Sequence, residues 1–230
     1  MINFNQHKEV LNENGFSIIE NCFNESELYK INSFVENNNF DFSERQVLNR
    51  FPELREIIFD NDNFIKLFNT ICDESYFLSK AIYFNKHSKS NWFVSYHQDL
   101  SISVKNKIEE KGYHCWTTKK GQLGVIPPLP ILESIFTFRI HLDKTDYTNG
   151  VLKVISKSHQ KGIIRVDNDF EASKEGEEVI CNIDKGGIMI MKPLLLHSSQ
   201  KSVSESDRKV IHLEFCNQEI PMKWLEQEFI

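Results

Sequence analysis

The spacing of hydrophobic residues along the chain changes at about residue 80. Before this point, apolar residues recur every three or four positions, as at Leu28, Ile31 and Phe34, which predicts amphipathic helices. After it, apolar and polar residues alternate or form short runs rich in isoleucine, valine and phenylalanine, which predicts strands. We therefore expect a helical N-terminal part over about 24–75 and a β core over about 80–217.

Local signals indicate where the predicted helices begin. Asn24 precedes the segment LYKINSFVE and is a favourable N-cap residue, and Asp60 or Asn61 takes the same place before a later helical pattern. Pro52 interrupts or starts a helix between these two, because proline has no backbone N–H and fits only the first turn.

The second part of the chain is a series of predicted strands separated by turns. Asn149–Gly150 predicts a hairpin, and Gly186–Gly187 precedes another strand. Helices that come first and strands that follow, without βαβ alternation, predict an antiparallel sandwich or barrel with helices on one side. A chain of 230 residues fits one such domain, so we expect residues 1–230 to form a single domain. The predicted strands are AIYFN, WFVSYHQDLSISV, SIFTFRIHL, VLKVIS, IMIMKPLLLHSS and RKVIHLEF.

Composition narrows the partners and the compartment. The net charge of −6 argues against nucleic acid, which needs a basic surface. No apolar stretch approaches the ~18 residues of a membrane span, and the N-terminus has no basic start followed by an apolar block. The five cysteines form no C-x-x-C pair and predict free thiols in the cytoplasm. A small-molecule substrate is the expected partner, and the sequence leaves the oligomeric state open.

One predicted strand carries two candidate metal ligands, His97 and Asp99, in the segment NWFVSYHQDL. Alternate residues of a strand face the same way, so both side chains are expected on one face and Gln98 on the other. The tripeptide alone is weak support, because His-x-Asp is common by chance. A metal site of the type that suits non-haem Fe(II) needs a second histidine.

His197 is the best candidate for the third ligand, because it ends the predicted strand IMIMKPLLLH, where a barrel strand reaches the rim. Arg208 opens the next predicted strand after a short polar turn, so we expect His197 and Arg208 on neighbouring antiparallel strands. A guanidinium there can hold a carboxylate with two hydrogen bonds. Ser199 offers a hydroxyl group to the same carboxylate. This set of groups is what 2-oxoglutarate binding requires.

Three blocks of sequence carry a resemblance to a known family. In order they are NWFVSYHQDL, FRIHLDKTDYTNGVLKVISKSHQKG and GGIMIMKPLLLHSSQKSVSESDRKVIHLEF. Over about residues 8 to 217 the chain resembles the phytanoyl-CoA dioxygenase family of Fe(II)/2-oxoglutarate-dependent oxygenases. The resemblance implies a double-stranded β-helix (jelly roll, cupin-like) that uses Fe(II), 2-oxoglutarate and O2. The residues it implies are His97, Asp99 and His197 for iron, and Arg208 and Ser199 for the 2-oxoglutarate carboxylate.

The same resemblance implies two further cosubstrate neighbours, Arg139 on the central strand and Ile82 on the strand before His97. It also implies a structural role for His159. Related halogenases lack the carboxylate ligand, so Asp99 makes hydroxylation of an aliphatic C–H, or desaturation, the expected reaction. The alternative is a cupin-like metal-binding or sensing domain without turnover.

Two features stay open to more than one interpretation. The segment 111–130 is long and aromatic, and it is either a mobile lid over a cavity or a permanently docked connection. His141 shares the face of Arg139 and either lines the cavity or belongs to the core. His212 and Glu214 alternate on the last strand, and we expect them to pair with each other.

Overall fold

The computed structural model describes residues 2–87 and 91–229. The helices are Phe4–Asn14 (α1), Glu25–Asn37 (α2), Val47–Arg50 (α3), Pro52–Phe59 (α4), Asp62–Ile71 (α5) and Leu129–Ser134 (α6). The strands are Phe16–Ile19 (β1), Ser43–Arg45 (β2), Phe77–Lys86 (β3), Val94–His97 (β4), Ile102–Val104 (β5), His114–Lys119 (β6), Gln122–Ile126 (β7), Phe136–His141 (β8), Leu152–Ile155 (β9), Glu178–Ile180 (β10), Ile188–Met191 (β11), His197–Ser199 (β12), Arg208–Cys216 (β13) and Glu228–Phe229 (β14).

The helix starts follow the local signals in the sequence. The Asn24 side chain accepts a hydrogen bond from the Glu27 amide, and the Glu27 carboxylate accepts one from the Asn24 amide. These two bonds form a capping box at the N-terminus of α2. Pro52 is the first residue of α4, and Asn61 caps α5. Helix α1 was not predicted, because only Leu11 of its residues is buried and its apolar pattern is weak.

The strands form three antiparallel sheets. The major sheet has the order β1-β11-β8-β13-β3-β14, with β2 also paired to β3. The minor sheet has the order β10-β9-β12-β4, and a small sheet that we call the roof sheet has the order β5-β7-β6. This arrangement confirms the predicted fold class, a mainly β double-stranded β-helix.

Helices α1 to α5 pack against one side of the major sheet. Phe64 and Phe68 of α5 contact strands β8 and β13, with ring centroids 5.9 Å apart for Phe64 and Phe138 and 5.0 Å apart for Phe68 and Phe215. These residues belong to one hydrophobic cluster that also contains residues of α1 to α4. The helical and β parts therefore share one hydrophobic core, and the single domain over 1–230 stays a prediction.

Two long predicted strands are each divided between sheets. The run from 188 to 199 forms β11 in the major sheet and β12 in the minor sheet, with Pro193 between them. His197 therefore begins a short strand, and the expectation that it ends a long one is wrong. The run from 92 to 104 likewise forms β4 in the minor sheet and β5 in the roof sheet. Alternating polarity predicts a strand but carries no information about its sheet.

The turn at Asn149–Gly150 is also not the predicted hairpin. It connects β8 of the major sheet to β9 of the minor sheet, which do not pair with each other. Gly150 has a φ of 81°, a conformation that favours glycine, so the tight turn itself is as predicted. Among the described residues, no helix is long and apolar enough to cross a membrane.

Candidate functional site

His97, Asp99 and His197 converge at one end of the minor sheet. His97 ends β4 and His197 begins β12, and the two residues are direct partners in the antiparallel register. Asp99 follows two residues after His97, beyond the end of β4. Its Oδ1 lies 3.7 Å from His97 Nε2 and its Oδ2 lies 3.7 Å from His197 Nε2. One ligand atom from each residue lies within 4.8 Å of the others, so these residues can surround a metal ion.

Main-chain carbonyl groups fix the tautomers of both histidines. Nδ1 of His97 lies 2.9 Å from the Ser95 carbonyl oxygen, and Nδ1 of His197 lies 2.9 Å from the Leu195 carbonyl oxygen. A carbonyl oxygen only accepts hydrogen bonds, so each Nδ1 carries the proton and donates it. Each Nε2 therefore presents a lone pair towards Asp99, as a metal-binding imidazole requires.

Burial and charge give His197 and Asp99 the protonation states of metal ligands. Burial lowers the pKa of His197 to about 4, which keeps its imidazole neutral near pH 7. Burial alone would raise the pKa of Asp99, but the nearby histidines, led by His197, lower it well below its usual range. The site thus combines a carboxylate with neutral imidazole, the forms that coordinate a metal.

Gln98 fixes the backbone between His97 and Asp99. Its side-chain amide donates to the carbonyl oxygens of Gly162 and Leu194 at 2.8 and 2.6 Å, and its oxygen accepts from the Ile164 amide at 2.8 Å. Sequence reasoning placed Gln98 on the opposite face from the two ligands but gave it no role. Its hydrogen bonds connect the His-x-Asp segment to the main chain at Gly162 and Ile164 and at Leu194.

A cavity of about 470 Å³ adjoins the three candidate ligands and is lined by residues of all three sheets. Arg139 on β8, Ile82 on β3, Arg208 on β13 and Ser199 on β12 all line it. The structure therefore brings these four residues and the three candidate ligands to one cavity, whereas His141 does not line it. Its size suits a small molecule.

Arg208 and Ser199 approach each other across the cavity from different sheets. Strand β13 pairs with β3 and β8, whereas β12 pairs with β4 and β9, so the expectation that Arg208 and His197 lie on neighbouring strands is wrong. Arg208 Nη1 donates to the Gly150 carbonyl and lies 3.5 Å from Ser199 Oγ. The Nε of Arg208 is buried without a hydrogen-bond partner.

Lys86 is a functional candidate that sequence reasoning missed. It lies opposite Arg208 in the register of β3 and β13, and its side chain is fully buried. Its Nζ donates to Ser199 Oγ at 2.9 Å and to the Gln200 carbonyl at 2.8 Å. Burial, with smaller contributions from Arg208 and Arg139, lowers its pKa to about 7. The segment FNKHSK resembles an exposed strand end, and only the strand pairing reveals the burial.

Arg139 and Ile82 flank His212 in the major sheet, on β8 and β3 respectively. Arg139 Nη1 lies 3.0 Å from His212 Nδ1, while its Nε is buried without a partner. The predicted pairing of His212 with Glu214 is confirmed, with 3.0 Å between Nε2 and Oε1.

Two other histidines have local partners. The Nε2 of His159 lies 3.3 Å from the carbonyl oxygen of Asn12 in α1, in agreement with a structural role. His141 is buried, with Nδ1 2.8 Å from Thr145 Oγ1.

Three buried cations lie in or beside the cavity: Arg139 and Arg208 line it, and Lys86 contacts the lining residue Ser199. Among the described residues, Lys86, Arg139 and Arg208 form no ion pair with a carboxylate. Burying a positive charge without a counter-ion is costly. These cations, with two unpartnered guanidinium Nε atoms, fit a bound dicarboxylate.

The segment 111–130 forms most of the roof sheet. Strands β6 and β7 pair with each other, and β7 also pairs with β5. Val125 is fully buried, and Lys120 at the hairpin turn donates to the Ser43 carbonyl at 3.1 Å. Cys115, Thr117 and Gln122 of this segment line the cavity. The pairing supports the interpretation of a docked connection over that of a mobile lid.

Comparisons with known proteins agree with this fold. The chain matches the model of the phytanoyl-CoA dioxygenase (PhyH) family over residues 11–210. No curated protein sequence matches it significantly. Solved structures share the fold at low sequence identity. EctD from S. alaskensis, in its apoform, has a TM-score of 0.70 and 13% identity, and the match covers 96% of this chain and 80% of that one.

Two further solved structures are named for an activity or for bound ligands. The non-haem alpha ketoglutarate dependent carbocyclase SnoK from nogalamycin biosynthesis has a TM-score of 0.66 and 12% identity, over 95% of this chain and 85% of that one. HygX from Streptomyces hygroscopicus, with nickel and 2-oxoglutarate bound, has a TM-score of 0.63 and 13% identity, over 92% and 85%. The family match takes in the predicted ligands His97, Asp99 and His197, so the resemblance in the sequence is confirmed. The chain belongs to the phytanoyl-CoA dioxygenase family.

Proposed function

We propose that the protein is a mononuclear non-haem Fe(II)- and 2-oxoglutarate-dependent dioxygenase that hydroxylates an aliphatic C–H of a small molecule. One observation carries this proposal. A cluster of His97, Asp99 and His197 shares a cavity with buried cations that have no carboxylate partner among the described residues. Two imidazoles and one carboxylate suit Fe(II), and the cations suit an acidic cosubstrate that binds beside it.

His97, Asp99 and His197 are the proposed iron ligands. The Nε2 atoms are free to coordinate because both Nδ1 atoms donate to main-chain carbonyls. Asp99 supplies the negative charge that partly balances the metal. Gln98 keeps the first two ligands at a fixed distance from the third, because its side chain joins their segment to Leu194, three residues before His197.

Arg208, Lys86 and Ser199 are the proposed site for the distal carboxylate of 2-oxoglutarate. The Lys86 and Arg208 side chains meet at the Ser199 hydroxyl group, at 2.9 and 3.5 Å. Charge-assisted hydrogen bonds from both cations favour a carboxylate here over a neutral group. Arg139 supplies a further buried guanidinium, and Ile82 supplies an apolar part of the cavity wall.

Iron, when bound with 2-oxoglutarate and O2, supplies oxidative chemistry in which 2-oxoglutarate gives succinate and CO2 and the substrate C–H becomes C–OH. The protein positions the reactants and excludes water. The roof sheet covers the cavity on the side of Cys115 and Thr117, and substrate contacts are expected there.

Succinate formation tests the proposal. Purified protein is incubated with 2-oxoglutarate and O2, with Fe(II) in one sample and with a chelator in the other. We expect succinate only in the presence of Fe(II). Asp99→Ala, which removes one proposed ligand, should abolish the signal. Product analysis with small-molecule substrates then separates hydroxylation from other outcomes, since carbocyclase and epimerase are the activities named for two proteins of similar fold.

Binding measurements make a negative result informative. Protein that binds Ni(II) and 2-oxoglutarate but forms no succinate with Fe(II) would support the alternative, a metal-binding or sensing domain. Protein that binds neither would contradict the assignment of the site itself.

A further inference from the structure

Arg139, His212, Glu214 and Lys80 form a continuous row of polar groups along one wall of the cavity, and the first three of them are buried. Arg139 on β8 lies opposite His212 on β13, and Glu214 on β13 lies opposite Lys80 on β3. The separations are 3.0 Å from Arg139 Nη1 to His212 Nδ1, 3.0 Å from His212 Nε2 to Glu214 Oε1, and 2.8 Å from Glu214 to Lys80 Nζ. All of these residues line the cavity.

The neighbours of His212 determine which of its ring nitrogens carries the proton. A guanidinium only donates hydrogen bonds, so Nδ1 of His212 must accept the bond from Arg139. The proton of the neutral imidazole then lies on Nε2, which donates to the Glu214 carboxylate. Lys80 balances the charge of Glu214 and also donates to the Ser101 carbonyl at 2.9 Å.

The row contacts the Arg139 guanidinium through Nη1 and leaves its Nε without a hydrogen-bond partner. Nη1 bonds to His212, whereas Nε is buried and has no partner. The arginine is 7% exposed, and no described carboxylate pairs with it. A buried guanidinium held in one orientation with free donors is already arranged to bind an anion.

We propose that His212 is a positioning residue for Arg139, and that Glu214 fixes the tautomer in which His212 does this. The row orients the guanidinium for a carboxylate group of 2-oxoglutarate, so this inference rests on the proposed function. Lys80 completes the row by neutralising Glu214, which would otherwise be a buried charge without a counter-ion.

Two substitutions at one position separate positioning from packing. In His212→Asn, the amide oxygen takes the place of Nδ1 and can still accept from Arg139, while the link to Glu214 is lost. In His212→Gln, the amide nitrogen takes the place of Nε2 and can still donate to Glu214, while the acceptor for Arg139 is lost. Both remove the imidazole ring, so a packing role predicts similar losses in both.

Isothermal titration of 2-oxoglutarate into Ni(II)-loaded protein provides a readout without turnover. We expect a Kd for 2-oxoglutarate raised about tenfold in His212→Gln and much less in His212→Asn, with the Ni(II) affinity unchanged in both. Equal losses in the two variants, or no loss in either, would overturn the inference. Wild-type protein that takes up Ni(II) but no 2-oxoglutarate would overturn the proposed function, and this inference with it.

Nitrogen NMR of the wild-type histidines keeps the inference testable if a variant does not fold. We expect the Nδ1 resonance of His212 at the position of an unprotonated nitrogen and the Nε2 resonance at that of a protonated one. A proton on Nδ1 would overturn the inference, because His212 could then no longer accept from Arg139.

Discussion

Lys86 and Arg208 are direct cross-strand partners in the major sheet, and both side chains reach the Ser199 hydroxyl group of the minor sheet. Two buried cations thus meet at a neutral group, and burial together with the neighbouring arginines lowers the pKa of Lys86 to about 7. A carboxylate that binds between them reduces the electrostatic repulsion of the two cations, because it supplies the missing negative charge. The pair therefore makes cosubstrate binding sensitive to pH.

We predict that 2-oxoglutarate binding takes up a proton on Lys86 at about pH 8. The lysine is largely neutral there before binding, and a bound carboxylate raises its pKa. Titration calorimetry in buffers with different ionisation enthalpies measures the uptake. Lys86→Met should remove it, whereas Lys66→Met, at an exposed position of α5, should leave it unchanged. Equal uptake in wild type and Lys86→Met would assign the proton to another group.

The same residue predicts how stability varies with pH. The folded pKa of Lys86, about 7, lies below its ordinary value of 10.5, so the unfolded chain binds more protons between these values. The stability contributed by this site therefore rises with pH across that window, and its cost is fully present below pH 7. Denaturant unfolding of the apo protein should show this slope reduced in Lys86→Met. An unchanged slope would contradict the burial of a neutral lysine.

Arg208→Ala should weaken 2-oxoglutarate binding by about one to two orders of magnitude, because hydrogen bonds to charged groups are worth ~1.5–3 kcal/mol. The Ni(II) affinity should stay the same, since Arg208 is not a proposed metal ligand. Arg165→Ala is the matched control, with an arginine side chain that is 88% exposed. Unchanged cosubstrate affinity in Arg208→Ala would move the carboxylate anchor to Arg139.

Asp99→Ala should abolish succinate formation and weaken metal binding by more than about 100-fold. Substitution of groups that only support a ligand typically costs about 10–100-fold in metal affinity, so loss of the ligand itself should cost more. Calorimetry with Ni(II) gives the affinity, and circular dichroism confirms folding. Asp184→Ala, at a carboxylate that is 69% exposed, is the control. Wild-type turnover in folded Asp99→Ala would show that the carboxylate does not bind the metal.

Gln98→Ala should destabilise the protein and also loosen the metal site. The substitution removes three hydrogen bonds at about 1 kcal/mol each and leaves the buried Leu194 carbonyl and the partly buried Gly162 carbonyl without these donors. We expect the free energy of unfolding to fall by about 2–4 kcal/mol and the metal affinity by about tenfold. Gln6→Ala, at an exposed position of α1, should change neither quantity. A stability loss with unchanged metal affinity would mean that the His-x-Asp backbone does not depend on Gln98.

The roof sheet should be protected from hydrogen exchange before any substrate binds. Amides of β7 pair on both sides, with β5 and β6, and Val125 is fully buried. Slow exchange over 122–126 in the absence of substrate is therefore expected, with faster exchange near the turn at Lys120. Uniformly fast exchange over 111–130 that slows on adding a substrate would restore the lid interpretation.

The sequence predicted the parts of the site that lie in short motifs. His97 and Asp99 are separated by one residue, and His197, Ser199 and Arg208 follow one another closely, so their chemistry is visible without the fold. The sheet that each strand joins was not visible, because alternation has the same period in every sheet. This is why Arg208 was expected beside His197, although it reaches Ser199 from the opposite sheet.

Lys86 and the row from Arg139 to Lys80 depend on pairing between distant strands. Lys86 is 122 positions before its partner Arg208, and no local pattern distinguishes it from a solvated lysine. His212 and Glu214 could be paired from their spacing, but the contact of His212 with Arg139 needed the register of β8 with β13. Long-range register is the information that local periodicity lacks.

His97 and His197 are each oriented by a hydrogen bond that their Nδ1 donates to the carbonyl group two residues earlier, and these bonds involve no other side chain. Substitutions in the cavity walls therefore leave both imidazoles with the same tautomer, provided that the backbone keeps its path. The metal-binding form of the two histidines therefore does not depend on which side chains line the cavity. Residues such as Thr117 and Gln122 can be exchanged to admit new substrates while the centre that oxidises them stays intact.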